Sequence, residues 1–246
     1  MFFVLFCIVI CTVLIISYVI LEKVCSTQKD SCIFNLSPND SAIFVISHPD
    51  DESLFFAPTI LELQERKVNV HVLCLSTGNY YGKGVVRSKE FHESCAKLGL
   101  EQSNVYCLND FEDGPNEEWN PKLVSKTLKI YLQKTRSKCL FTFDQHGISG
   151  HPNHIALNTA VKYMIRQEIN HSVDFYELQT VPLYRKYIQI IDIIPTLFTA
   201  QPSHTIVASS YNEYLKSISS MLCHESQLVW FRWLVVMFSR NMWLNT

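Results

Sequence analysis

Five short apolar runs recur along residues 42–180, with segments of helical spacing between them. AIFVIS (42–47), NVHVLCLS (69–76), NVYCLN (104–109), KCLFTFD (138–144) and DFYELQT (174–180) read as strands. Their near-continuous apolar character marks strands buried on both faces. Between them, 53–65 carries Leu54, Ala57, Ile60 and Leu61 at helical spacing. A second helix over 87–98 is closed by Gly99, and a third over 121–133 opens on Pro121, a residue suited to a first helical turn. A fourth covers 153–166. The alternation predicts an α/β fold: a Rossmann-like, mostly parallel sheet with helices on both faces. In such sheets ligands sit beyond the carboxyl ends of the strands.

A different pattern precedes the alternation. Residues 2–21, FFVLFCIVICTVLIISYVIL, contain no charge and no polar face. As a helix they reach roughly 30 Å, the thickness of a bilayer core. A cleaved signal peptide has an apolar core of only about 7–15 residues behind a basic start. Here no Lys or Arg precedes the run. The expectation is a retained single-pass anchor over 2–21, a polar linker over 22–40 and one domain over 41–246. Lys23 and Lys29 follow the anchor, and the positive-inside rule then puts the domain in the cytosol. Nine scattered cysteines without a CxxC pair agree with a reducing compartment. Sequons at Asn35, Asn39 and Asn170 point the other way, although so short a pattern arises by chance.

At the other end, LVWFRWLVVMF (228–238) holds one charge and is too short to span a bilayer. Two readings stand: a membrane-interface helix within 228–246, consistent with Trp230, Trp233 and Trp243, or a core helix closing the domain. A net charge of −2 argues against nucleic acid as a partner.

The polar clusters fall just after the predicted strands. HPDDE after the first supplies His48, Asp50, Asp51 and Glu52; HGISGHPNH after the fourth supplies His146, His151 and His154. Imidazoles and carboxylates together suit a divalent metal, zinc foremost. Adjacent carboxylates repel each other unless a cation compensates. Read singly, HPDD is also a helix-capping turn and HPNH a loop. GNYYGKG lacks the spacing of a phosphate-binding loop, no GxGxxG follows the first strand, and no GxSxG elbow is present. A nucleotide cofactor and a serine nucleophile are therefore not expected.

HPDDESLFFAPT, STGNYYGKGVVRSKE, TFDQHGISGHPNHIALNTAV, LYRKY and CHESQLVWFR, in this order, resemble the LmbE-like metal-dependent de-N-acetylases. The resemblance runs from about Ala42 to the C-terminus and is strongest to the eukaryotic branch, which acts on N-acetylglucosaminyl-phosphatidylinositol. It implies removal of acetate from that glycolipid, the second step of glycosylphosphatidylinositol anchor synthesis, on the cytosolic face of the endoplasmic reticulum. It also implies that His48, Asp51 and His154 hold the metal and Asp50 is the general base. A protonated His151 would stabilise the oxyanion and act on the leaving amine. Arg87 and Asp144 fall on the substrate side. Asn153 stands where many bacterial relatives have aspartate, which leaves Asp144 as the nearest carboxylate for His151. Plainer roles are a surface ion pair of Arg87 with Glu90 or Glu93, and a strand-end cap for Asp144. Glu52 and His224 are left without a role. A deacetylase of a soluble amino sugar and an inactive binding homologue are the alternatives.

Overall fold

In a computed structural model that describes residues 2–29, 33–167 and 173–246, the five apolar runs form one parallel sheet. Cys32 and Asn170 lie outside the described residues. The strands are β1 (Ser41–Ile46), β2 (Asn69–Cys74), β3 (Val105–Cys107), β4 (Cys139–Phe143) and β5 (Asp174–Leu178), in the order β3-β2-β1-β4-β5. The central three are buried almost throughout, as their unbroken apolar sequences require.

The connecting helices are α2 (Ala57–Glu65), α3 (Gly84–Lys97), α4 (Pro121–Thr135) and α5 (Pro152–Gln167), preceded by the N-terminal α1 (Phe2–Lys29). From β1 to β3 the chain steps one way; through β4 and β5 it steps the other. Right-handed crossovers then put α2 and α3 on one face and α4 and α5 on the opposite one. The direction reverses between β1 and β4, the crevice in which open α/β sheets bind ligands.

Two local features depart from the simple pattern. The first helix after β1 does not start as an α-helix. Glu52–Phe56 is a π-type turn, a form that recurs at functional sites. The wide turn is stapled from the far end of the chain, where Asn245 Nδ2 donates to the Phe55 carbonyl at 2.7 Å. The second departure is α1, which continues through the first part of the expected linker to Lys29. Leu21, Cys25 and Gln28 recur every three or four residues and bury one face of these last turns. Residues 3–19 remain largely exposed and apolar, and Phe3–Lys29 is long and apolar enough to cross a membrane.

The segment after β5 builds a second apolar cluster beside the sheet. It includes α6 (Ile193–Thr199), α7 (Tyr211–Met221), α8 (Trp230–Phe238) and a two-stranded ribbon, β6 (Val207–Ala208) with β7 (Leu244–Asn245). Leu21 and Cys25 of α1 join Ile193, Met221, Val236 and Met242 in this cluster. α7 packs on α2 and α3. Arg185 of the LYRKY motif belongs here. Its guanidinium grips the fully buried Asp192 from two nitrogens, at 2.7 and 3.0 Å, and Arg240 flanks the same carboxylate. Burial pushes Arg240 down to about 10 despite that neighbour. One carboxylate thus compensates two buried guanidiniums. Asp192→Asn is expected to cost about 3–5 kcal/mol, because it strands buried charge without a partner. Urea unfolding of the detergent-solubilised chain measures this, and an unchanged midpoint would remove the network from the stability account.

Candidate metal and catalytic site

β1 ends at Ile46, and the chain beyond it delivers His48, Asp50 and Asp51 at the crevice between β1 and β4. Asp51 is buried, and its Oδ2 accepts from the backbone N–H groups of Ser47 (3.0 Å) and His48 (2.9 Å). Its Oδ1 faces His154 Nε2 at 3.2 Å, and Oδ2 lies 3.8 Å from His48 Nδ1. Burial acts to raise the Asp51 pKa, but His154, His48 and the backbone donors outweigh it and hold the group below the usual range.

Each of the two histidines is held from behind by an oxygen. His48 Nε2 lies 3.0 Å from Asn153 Oδ1 and 3.0 Å from Asp113 Oδ1. Both are acceptors, so Nε2 carries the proton. His154 Nδ1 donates to the Gly147 carbonyl at 3.1 Å, which leaves its buried Nε2 without a hydrogen bond. His48 Nδ1, Asp51 and His154 Nε2 therefore converge, each imidazole oriented from behind by an oxygen. That is the arrangement of supported metal ligands, and two imidazoles plus one carboxylate fit a divalent cation. His151 stands beside them: donor atoms of His48, His151 and His154 lie within 4.8 Å of one another.

His151 differs from the sequence expectation. Burial and the neighbouring His48 and His154 push its pKa down to about 4, so the ring is neutral near neutral pH. Its Nδ1 accepts from the Asn153 N–H at 3.3 Å, which puts the ring proton on Nε2. Among the described residues no carboxylate pairs with His151.

Asp144 does not supply that missing carboxylate. It accepts from Thr180 N (2.7 Å), Thr180 Oγ1 (2.6 Å) and His146 N (3.0 Å). It lines a different cavity of about 640 Å³ with His146, beside β5. Its effect on the site is indirect. Thr180 Oγ1 in turn accepts from Ile148 N, and Ile148 holds φ at +58°, a costly value for a β-branched residue. The strained loop presents the Gly147 carbonyl to His154.

Asp50 is buried with φ at +108°, also unfavourable outside glycine. Its N–H donates to Glu52 Oε2 at 3.1 Å and its carbonyl accepts from Leu54 N at 2.9 Å. Its Oδ2 makes no hydrogen bond, and lies 3.7 Å from Arg87 Nη2 and 3.3 Å from Arg232 Nη2. Arg87 is itself committed to backbone. It donates to Gly78 O (2.9 Å) and Pro49 O (2.7 Å) rather than pairing with Glu90. Gly78 makes this possible, since a Cβ there would stand 2.3 Å from Arg87 Nη1. Glu90 instead binds Ser226, through N at 2.7 Å and Oγ at 2.6 Å.

Glu52 and His224 find their place behind Asp50. Both are fully buried, and His224 Nε2 donates to Glu52 Oε1 at 2.6 Å. Ser94 Oγ donates to the same oxygen, and Ser53, Ser94 and Ser220 form a closed hydroxyl triangle. The network ties the π-turn to α3 and α7. In front of this network lies a cavity of about 370 Å³, whose lining includes His48, Asp50, Asp51, His151, His154 and Arg232. Sequence reasoning misses Asp113 and Arg232. Asp113 lies in the loop after β3, again at a strand's carboxyl end. Arg232 lies inside the CHESQLVWFR motif, but only the tertiary fold carries it to Asp50.

Known proteins are similar to this chain over most of its length. The PIG-L family model, described as GlcNAc-PI de-N-acetylase, matches residues 43–165. The N-acetylglucosaminyl-phosphatidylinositol de-N-acetylase of Bos taurus is 39% identical over 207 residues, covering 83% of this chain and 81% of the relative. A probable enzyme of the same name from Schizosaccharomyces pombe is 38% identical over 210 residues, covering 82% and 84%. Among solved structures, N,N'-diacetylchitobiose deacetylase from Pyrococcus horikoshii superposes with a TM-score of 0.54 at 18% identity, covering 86% of this chain and 80% of that one. At that identity the likeness is one of fold.

The support of His48 by Asp113 generates a prediction. Asp113→Asn is expected to weaken divalent-metal affinity about 10- to 100-fold, the usual effect of losing a carboxylate that orients a ligating histidine. Calorimetric titration with zinc or cobalt measures this. Unchanged affinity would detach Asp113 from the site.

Proposed function

The chain belongs to the PIG-L family of de-N-acetylases, and on that footing we propose that it removes acetate from N-acetylglucosaminyl-phosphatidylinositol with the help of a divalent cation, zinc being the best fit. One observation carries the reading. An unbonded, buried His154 Nε2 faces Asp51 Oδ1 at 3.2 Å, and an Asp50 oxygen outside any hydrogen bond lines the same cavity. The names of the relatives supply the substrate.

His48 through Nδ1, Asp51, and His154 through Nε2 would hold the cation. A cation bound there would polarise the amide carbonyl and lower the pKa of water from 15.7 to about 7. Asp50 takes the proton of the attacking water on its carboxylate. Arg87 and Arg232 hold that carboxylate in place. His151, neutral and protonated at Nε2, donates to the carbonyl oxygen as it becomes negative. Such a donor typically lowers the barrier by about 2.7–4 kcal/mol. A neutral ring of this tautomer has no spare proton for the amine. Asp50 therefore returns the proton it took, the C–N bond breaks, and acetate and the free amine leave.

We place the enzyme in the endoplasmic reticulum membrane, held by α1, with the domain in the cytosol. Lys23 and Lys29 at the end of α1 support this orientation, and the described cysteines are all unpaired.

Two measurements test the reading. Membranes containing the chain should release acetate from the glycolipid and lose that activity on chelation, with recovery on metal return. Asp50→Asn should lower kcat by about 10²–10⁴-fold. Activity surviving both changes would overturn the mechanism, and faster turnover of a soluble N-acetyl sugar would overturn the substrate. Separately, protease added outside sealed microsomes should digest the domain; full protection would reverse the topology.

A further inference from the structure

α8 is an unusual surface element. Of its nine residues only Val236 is buried. Trp230 is 78% exposed and Phe231 49%, while Trp233, Leu234, Met237 and Phe238 each stay 43–46% exposed. Its one charge, Arg232, is turned inward to Asp50. An apolar face of this size, without a charged side chain of its own, is rarely left to water.

We propose that α8 lies on the bilayer surface, so that the cavity holding Asp50 opens at the membrane. Three observations identify lipid as the occupant. The chain carries a candidate span in α1, so a bilayer is held close to the domain. The last turns of α1 and the inner face of α8 share one apolar cluster, through Leu21, Cys25 and Val236. The side chains facing outward are tryptophan and other large apolar residues, the composition of an interfacial helix. At roughly 14 Å, nine helical residues are too short to cross and long enough to lie flat.

Exposed aromatic side chains also line the cavity. Tyr80 and Tyr81 line it and are 54% and 80% exposed. A sugar headgroup entering between these tyrosines and Arg232 would reach the carboxylates while its acyl chains stayed in the membrane. This last consequence rests on the glycolipid reading; the seating of α8 does not. Because Arg232 lies on α8, the contact with lipid also bears on the group beside Asp50.

Tryptophan fluorescence tests the seating without any catalysis. The full chain is reconstituted in phosphatidylcholine vesicles with and without bromine on the acyl chains near the headgroup. Trp119 and Trp243 are buried, at 6% and 7% exposure. Quenching should therefore come from α8, and should be lost in W230F/W233F. W230F alone, changed at the most exposed position, should reduce it. A native chain that brominated lipid does not quench would overturn the proposal and would be the result if a protein covers α8 instead. So would quenching that survives the double substitution. W230E is expected to raise KM severalfold for substrate in vesicles and leave turnover of detergent-dispersed substrate unchanged. Quenching without acetate release would keep the membrane seat and refute the reaction.

Discussion

A buried, ionised carboxylate at Asp51 is the constraint on which the site depends. Its negative charge is stabilised by two backbone N–H groups just past the end of β1, and its oxygens face His48 and, from the first turn of α5, His154. Charge-assisted bonds of this kind are strong and directional. They fix the peptide that leaves β1, and with it the direction of His48, Asp50 and Glu52. The reversal of strand order puts α5 close enough for His154 to meet the same carboxylate. Fold and chemistry thus share one atom group: without the switch between β1 and β4, Asp51 would be a buried charge without one of its two histidines.

Three consecutive acidic residues are tolerated because the backbone sends them to three separate environments. Asp50 goes to Arg87 and Arg232, Asp51 to His48 and His154, and Glu52 to His224 and Ser94. Burial acts against ionised Glu52, but His224 and the Ser94 hydroxyl outweigh it and lower its pKa; burial likewise opposes a charged His224, which Glu52 raises. The separation requires φ of +108° at Asp50, a strain of about 1–3 kcal/mol. Glu52 offsets part of it by accepting the Asp50 N–H. Local strain at Asp50 is therefore maintained by a fully buried ion pair two residues away, at Glu52.

Much of this arrangement is legible in the order of residues alone. Continuous apolar runs announce the parallel sheet, and the strand-end rule for such sheets points to HPDDE and HPNH. His48, Asp50, Asp51, His151 and His154 do meet in one cavity. What escapes is contact between residues far apart in sequence. Periodicity announces a helix after β1 but cannot show that its first turn is of π type, with its Phe55 carbonyl bonded to Asn245 from the far end of the chain. Asp144 and Asp113 look alike in sequence, each near the end of a strand. Only the packed loops decide that Asp113 reaches His48 while Asp144 is held by Thr180. The first part of the linker reads as polar and irregular because the polar residues of α1's last turns conceal a buried stripe of Leu21, Cys25 and Gln28.

The charge balance explains how the same side chains can stand with or without a metal. Burial disfavours a charged His48, yet its hydrogen bond to Asp113 and the charge of Asp51 raise its pKa. A proton on His48 Nδ1 and a cation are alternative ways of placing positive charge beside Asp51. Ligating imidazoles must give up that proton, so metal binding and protonation compete at one nitrogen. Asp113 favours either outcome, because its bond to Nε2 stabilises the imidazolium and equally strengthens a ligating imidazole. His151 lies outside this exchange. Burial and its histidine neighbours already push it down to about 4, and a cation would press in the same direction. Its neutral N–H therefore survives the change of occupant.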